Sequence, residues 1–465
     1  VEKGDYYAEP DFHGQEALSN ENMYERGGLL TTVDMGFSVL AGSVLGGGTT
    51  VNWAASIPTP AHVLQEWARE YGFSAATSAA YQASAESVAQ RINVTHDHSQ
   101  ANPQNALLEK GCTALGHSVQ SIARNVKGCG ECGFCGYGCV AGAKQGTLRT
   151  YLQDAYERGT RIITQASVER VLYRHGIAEG ASVRHTSEDG QSIPLTIRAK
   201  IVVVAAGAIH TPALLLRSGL GNAHIGANLH LHPVTAVFSR FDTPVRGWHG
   251  APMTRVSFAL SDLDGRGYGV WLETAPNHPG IAAQAFPWVS GRSHKEEMQH
   301  LENYANIIVL TRDYHGGRVK TDKHGQPRLH YQLSAYDERH LMLGLIEALK
   351  AHREAGAAHL YGPHNHLRGY SAQRGSAAFD AFLQQVQAAG LKANAAALFS
   401  AHQMSSCRIG GSSATGAISP TGESYEVRNL FVADGSSLPT AVGVNPMLSI
   451  MTAAHYIAQH IRSRV

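Results

Sequence analysis

Asn429-Leu-Phe-Val-Ala-Asp434-Gly435, followed by Gly443-Val-Asn445-Pro446-Met447, is the stretch from which the fold is read. Leu430 to Ala433 is a short apolar run closed by an Asp-Gly turn, the pattern of a buried strand with a turn at its carboxyl end. In open α/β sheets ligands sit at that end of a parallel strand. Pro446 suits the first position of a helix, so Asn445 is expected as N-cap, with Met447, Ile450, Met451 and Ala454 running along the helix. Its free N–H groups and partial positive charge favour an anionic or electron-accepting group. A second strand, Ile201-Val-Val-Val-Ala205, runs into Ala206-Gly207, after which Thr211 is expected to cap and Pro212 to open a helix. Strand, glycine turn and helix in this order give an α/β chain with a Rossmann-like, dinucleotide-supporting part.

Working outward, a lone histidine stands in Ser400-Ala-His402-Gln-Met, just before the deciding stretch. An unperturbed imidazole titrates near neutrality and suits proton transfer. Upstream lies Ala41-Gly42-Ser43-Val-Leu-Gly46-Gly47-Gly48-Thr-Thr-Val-Asn52, whose successive glycines permit positive φ and a close pass by a flat ligand. Cys129-Gly-Glu-Cys132-Gly-Phe-Cys135-Gly-Tyr-Gly-Cys139 has the C-x2-C-x2-C-x3-C spacing of a ferredoxin cluster run, with Val140 where ferredoxins carry proline. An iron–sulfur cluster leads over zinc, and free or disulfide-bonded thiols are the third reading. Cys112 and Cys407 read as buried apolar side chains. The chain has 465 residues, 43% hydrophobic and 16% charged, with a formal net charge of +1. That balance gives no reason to expect nucleic acid. The longest apolar run, 201–216, is broken by Gly207, His210 and Pro212, and reads as strand then helix rather than a membrane span.

The histidine, the strand ending in Asp-Gly, and Gly-Val-Asn-Pro before a helix together resemble the glucose–methanol–choline (GMC) oxidoreductases, within them the cholesterol-oxidase and long-chain-alcohol-oxidase branches. The resemblance implies FAD and oxidation of an alcohol, with His402 as base and Asn445 on the substrate oxygen. It places Gly42, Ser43, Gly48 and Asn52 along the flavin, and Ala206 and Gly207 in the second family signature. Asp434, Gly435, Pro446 and Met447 join the cofactor set, and the backbone of Val168 meets the adenine. Glu2, in Val1-Glu2-Lys3-Gly4, matches the acidic residue that takes the ribose hydroxyls. No G-x-G-x-x-G turn stands before it, so the phosphate loop is expected from a missing N-terminal segment or a companion chain. Gly142-Ala-Lys144-Gln145 after the cysteines also matches long-chain-alcohol-oxidase relatives.

The expected division is FAD-binding parts at 1–60, 146–235 and 396–465, a helical insertion with the cysteine run at 61–145, and a substrate domain with an antiparallel sheet at 236–395. Within these, 60–91 and 337–354 read as helices, 92–105 as a loop, and 181–198 as a hairpin turning near Asp189-Gly190. His232 reads as a structural loop histidine and Glu273 as a surface or salt-bridged carboxylate, although cholesterol oxidases use one glutamate as an acid–base group. The histidines of 359–366 read as solvated loop. Three functions stay open: oxidation of a long-chain or otherwise hydrophobic alcohol; a sugar or polyol dehydrogenase passing electrons through a cluster; and a non-enzymatic metal-binding or inactive flavoprotein fragment. Oxygen or a redox partner would accept the electrons, oligomers are open, and the cytoplasm is favoured over a membrane-peripheral place.

Overall fold

The computed structural model describes residues 1–464. Its largest sheet follows from apolar, β-branched runs in the second half of the chain. Val234–Arg240 pairs antiparallel with Tyr304–Thr311, which pairs antiparallel with Val270–Glu273. Phe399–Ser400 joins the other edge and pairs in parallel with Ser38–Val39, which pairs with Leu30–Thr31. His359–Tyr361 and Tyr370–Ser371 extend the sheet beside Val234–Arg240. The sheet therefore draws strands from near both ends of the chain.

Register decides what each face carries. Trp271 lies opposite Leu310 and Glu273 opposite Ile308, while Val234 and Ala236 meet Leu310 and Ile308 from the other side. These residues form one face, joined by Phe238 and Phe286 in a buried cluster. The alternate residues Val270, Leu272, Ile307, Val309 and Val237 face the helix Ala335–Glu354 through Leu341, Leu345, Ala348 and Leu349. Ser334 caps that helix by accepting the Asp337 N–H. Gly344 is needed at the contact, because a Cβ there would stand 2.5 Å from Val309 Cγ1 and 2.6 Å from Val270 Cγ2.

The Rossmann-like part is built around two parallel strands, Val202–Val204 and Leu430–Val432. Among the described residues Val202–Val204 pairs with that neighbour alone, and Val203 on it is 45% exposed. The three-stranded sheet of Ala166–Arg174, Ile177–Thr186 and Ser192–Arg198 lies nearby and contains the expected hairpin. Glu2 is tied to it at one end: its N–H donates to Ile163 O at 2.9 Å, and Ala166 N–H donates to Glu2 O at 2.8 Å.

Several local expectations change. The helix after Val204 runs Gly207–Arg217, so Pro212 is inside it and Thr211 is no cap. Proline leaves the Ala208 carbonyl without its helical donor, and Ser406 Oγ supplies one at 2.5 Å. Thr211 Oγ1 donates instead to Asp434 Oδ2, at 2.5 Å. The last helix runs Met447–Arg462, with Pro446 already in helical dihedrals and no side-chain cap. The 60–91 stretch is two helices, Ala61–Glu70 and Ala79–Arg91, and Pro103–Ala114 begins a further helix inside the expected loop. His359 lies in a strand and His364 is buried, its Nε2 2.8 Å from Gly390 O, because the 359–366 segment packs against the large sheet. No described helix is long and apolar enough to cross a membrane.

Candidate active site

His402 follows the strand Phe399–Ser400, anchored by Ser400 Oγ donating to Leu231 O at 2.6 Å. Its ring meets His232, with the two Nδ1 atoms 3.2 Å apart. His232 is fully buried at φ +45°, a strained backbone held by Asp313, whose carboxylate accepts the N–H groups of Leu231 and His232 at 3.1 Å each. Trp271 stands edge-on to the same ring at 5.0 Å. Gly443 N–H donates to His232 Nε2 at 3.1 Å, joining this pair to the loop before the last helix. His232 is therefore part of the site rather than a loop histidine apart from it.

Asn445 lies two residues beyond Gly443. Its side chain does not cap the helix; Nδ2 donates to Glu273 Oε2 at 3.2 Å, and Oδ1 is buried without a partner. Glu273 is completely buried, and its Oε1 also lacks a partner. It is thus neither a surface nor a salt-bridged group. Burial pushes its carboxyl up to about 8, against the weaker pull of the Asn445 amide. Burial lowers His402 to about 4, while burial and then the His402 ring hold His232 well below the usual range. Both imidazoles are neutral through the neutral range. A carboxylate alternating with Trp271 on an otherwise apolar strand was the signal in the sequence for Glu273; His232 gave none, since its partner lies 170 positions away.

The loop carrying Asn445 is braced from below by a buried ion pair. Arg312 donates through Nε to Ala441 O at 2.9 Å and through its NH2 nitrogen to Glu66 Oε2 at 2.5 Å. Met447, at the start of the helix, meets Asn52, whose Nδ2 lies 3.0 Å from the Met447 sulfur. The glycine loop of Gly42, Ser43 and Gly48 is thereby brought against the Asn445–Pro446 turn. Gly42 is packed, since a Cβ would meet Gly47 backbone at 2.7 Å, whereas Gly47 and Gly48 have nothing within 4 Å of that position.

Asp434 closes the carboxyl ends of the two parallel strands. Oδ2 accepts Gly207 N–H at 2.8 Å as well as the Thr211 hydroxyl, and Oδ1 accepts Ser436 N–H at 2.8 Å. Gly435 adjoins the last helix, its Cβ position 3.1 Å from Ile450 Cδ1. Ala206 and Gly207 form the turn opposite, Ala206 exposed and Gly207 at φ +76° with open space beside it. Glu2 Oε1 accepts Gly4 N–H at 2.8 Å, and Val168 O accepts Arg217 at 2.8 Å two residues beyond the strand position that Glu2 pairs with. The cysteine run packs on the far side of the glycine loop, where Lys144 Nζ donates to the carbonyls of Thr50, Asn52 and Cys135 at 2.6, 2.9 and 2.7 Å.

Sequence profiles described as GMC oxidoreductase match residues 20–234 and 314–454. Long-chain-alcohol oxidase FAO4B of Arabidopsis thaliana is 39% identical over 479 residues, covering 99% of this chain and 63% of its own length. Among solved structures, pyridoxine 4-oxidase from Mesorbium loti aligns with TM-score 0.68 at 16% identity, covering 99% of this chain and 93% of that one. An FAD-dependent oxidoreductase from Chaetomium thermophilum aligns at TM-score 0.66 and 15% identity, covering 100% and 94%. This chain belongs to the GMC oxidoreductase family. It spans 63% of the length of the plant relative.

FAD is the cofactor that this family implies, and the residues fit it. Gly47, Gly48 and Gly207 leave room where any side chain would intrude. Exposed Val203, Ala205 and Ala206 offer apolar surface at the strand ends. The helix Met447–Arg462 points its positive end at the same region.

Proposed function

We propose that this protein oxidises the CH–OH group of a long-chain or otherwise hydrophobic alcohol to the carbonyl, with FAD as the hydride acceptor. One observation carries the reading: the His402–His232 and Asn445–Glu273 pairs stand on a sheet face otherwise made of Val234, Ala236, Trp271, Ile308 and Leu310. Such a wall favours an alkyl chain and strengthens polar contacts made at its centre. Bound FAD supplies the ring that takes the hydride from the alcohol carbon. Gly42, Ser43, Gly48, Asn52, Pro446 and Met447 would border that ring, Ala206, Gly207, Asp434 and Gly435 its ribityl and diphosphate, and Glu2 and Val168 its adenosine.

His402 takes the hydroxyl proton at Nε2. Of the two facing Nδ1 atoms only one carries hydrogen, and the Gly443 N–H on His232 Nε2 puts it on His232 at rest. His402 accepts a substrate proton at Nε2 in the other tautomeric pair, with its own proton on Nδ1 donating to His232 Nδ1 and the His232 proton on Nε2. Reaching that pair moves the shared proton across, releases the His402 Nε2 proton to solvent, adds one from solvent to His232 Nε2, and gives up the Gly443 bond. That exchange costs about 1 kcal/mol, the net worth of one hydrogen bond. General-base catalysis contributes roughly 10²–10⁴-fold, so the cost is outweighed. Glu273, protonated below about 8, donates its O–H to Asn445 Oδ1 and turns the amide N–H toward the substrate oxygen. Ionised Glu273 takes that N–H back, as in the observed 3.2 Å bond.

Electrons leave to dioxygen or to a redox partner. The cysteine loop beside the glycine loop favours a partner, and is the feature that supports the second reading, a sugar or polyol dehydrogenase. Chain-length dependence separates the two. For an apolar site kcat/KM should rise by roughly fourfold per added methylene over the first members of a primary-alcohol series, from about 0.8 kcal/mol of burial each. A flat series with better turnover of glucose or glycerol would support the second reading. Failure to bind FAD at all would support a non-enzymatic protein.

A further inference from the structure

Cys129, Cys132, Cys135 and Cys139 all line one cavity of about 80 Å³, together with Arg124 and Lys144. All four thiols are free, so no disulfide accounts for the motif. Among the described residues no three His, Cys, Asp or Glu side chains converge closely enough to hold one metal ion. A cavity several times the 10–15 Å³ that one water needs suits a group of several atoms with thiolates at its corners better than a single zinc ion.

The charges around the cavity point the same way. Arg124 is fully buried and Lys144 is 5% exposed, and among the described residues neither has a carboxylate within 4 Å. Arg124 aims at sulfur, its NH2 nitrogen 3.4 Å from Cys135 Sγ and its NH1 nitrogen 3.8 Å from Cys129 Sγ, while its buried Nε has no partner. Two backbone N–H groups also donate to sulfur, Glu131 to Cys129 at 3.4 Å and Lys144 to Cys139 at 3.3 Å. Glycine at 133 and 138, with φ of +86° and +82°, bends the loop around the cavity. Lys144 Nζ has its hydrogen-bond acceptors in the carbonyls of Thr50, Asn52 and Cys135, but neither buried cation has an acidic partner among the described residues. A negatively charged group in the cavity would balance them, and N–H donors on sulfur are what thiolate ligands of a cluster take.

We propose that Cys129, Cys132, Cys135 and Cys139 ligate an iron–sulfur cluster whose negative charge Arg124 and Lys144 balance. The site stands apart from the alcohol reading: it is built from the cysteine loop with Arg124 before it and Lys144 after it, and holds whether or not the substrate is a long-chain alcohol. The test is made on the protein purified without oxygen, then supplied with iron and sulfide, with iron, zinc and acid-labile sulfide counted and the electron paramagnetic resonance spectrum recorded after dithionite. Iron and sulfide should appear in equal amounts with a cluster signal. Cys132→Ala, at an exposed position that the core does not need, should lose both iron and sulfide while flavin content holds; Cys112→Ala should keep both. Arg124→Gln should move the midpoint potential negative, because an added electron loses a buried positive neighbour. Stoichiometric zinc without sulfide, or four thiols still titrating freely after the iron and sulfide treatment, would overturn the proposal. An unchanged potential in Arg124→Gln would remove Arg124 from it.

Discussion

His402 and Glu273 titrate in opposite directions from their ordinary values, and each leaves its own mark on rate. His402 must be neutral to accept a proton, and burial holds it at about 4. Its neutral form is therefore present above that value and lost as pH falls through it, so the acid limb of kcat/KM should lie near 4 rather than at an ordinary histidine value. His402→Gln should bind FAD normally and lose about 10²–10⁴-fold in the rate of flavin reduction. Glu273 is raised to about 8, so its proton is present below and lost as pH rises through that point. An alkaline limb should appear there. Glu273→Gln, which keeps an N–H donor for Asn445 Oδ1, should abolish it; a limb that survives the substitution excludes Glu273 as its source. The lone histidine and the Asn-Pro were legible in the sequence because each sits in a distinctive local pattern. Their partners were less so: Glu273 showed only as a carboxylate on an apolar strand, and the contacts of Glu273 with Asn445 and of His232 with His402, and the burial of both, lie outside any local window.

At the scale of elements, two close contacts hold the site in place. Gly344 lets the helix Ala335–Glu354 rest on the back of the sheet whose front bears Trp271 and Glu273. Gly344→Val should cost about 1–3 kcal/mol by overpacking, read as a lower denaturant midpoint with little change in slope. Arg312 joins the sheet to the loop before Asn445 and pairs with Glu66 in the core. Arg312→Met would leave that carboxylate buried without a cation, a loss of about 3–5 kcal/mol; thermal unfolding of Arg312→Met and of the double variant with Glu66→Leu would show the double recovering part of it. Strands and helices with clear apolar periodicity were legible from the sequence, including the 337–354 helix and the strand before Asp434. Helix starts were less so. Pro212 looked like a first-turn residue, and the Ser406 hydroxyl that lets it sit inside a helix lies far along the chain.

For the whole molecule, the chain folds so that its beginning, middle and end meet at one place. The glycine loop of 42–52, the strand Val270–Glu273, and the 402–447 segment surround the same region, each from a different part of the sequence. Family signatures made the glycine loop and the terminal segment legible. The strand Val270–Glu273 lies between the two matched family profiles, and its contribution is an apolar wall that only strand register reveals. The central claim is that this wall and the His402–Asn445 pair oxidise a hydrophobic alcohol on a bound flavin. It is tested most directly by mixing the FAD-loaded protein, without oxygen, with a long-chain primary alcohol and following the flavin's visible absorption. The account predicts rapid bleaching with the wild type and none on the same time scale with His402→Gln. Bleaching by a sugar but not by the alcohol, or equal bleaching in the two proteins, would contradict it.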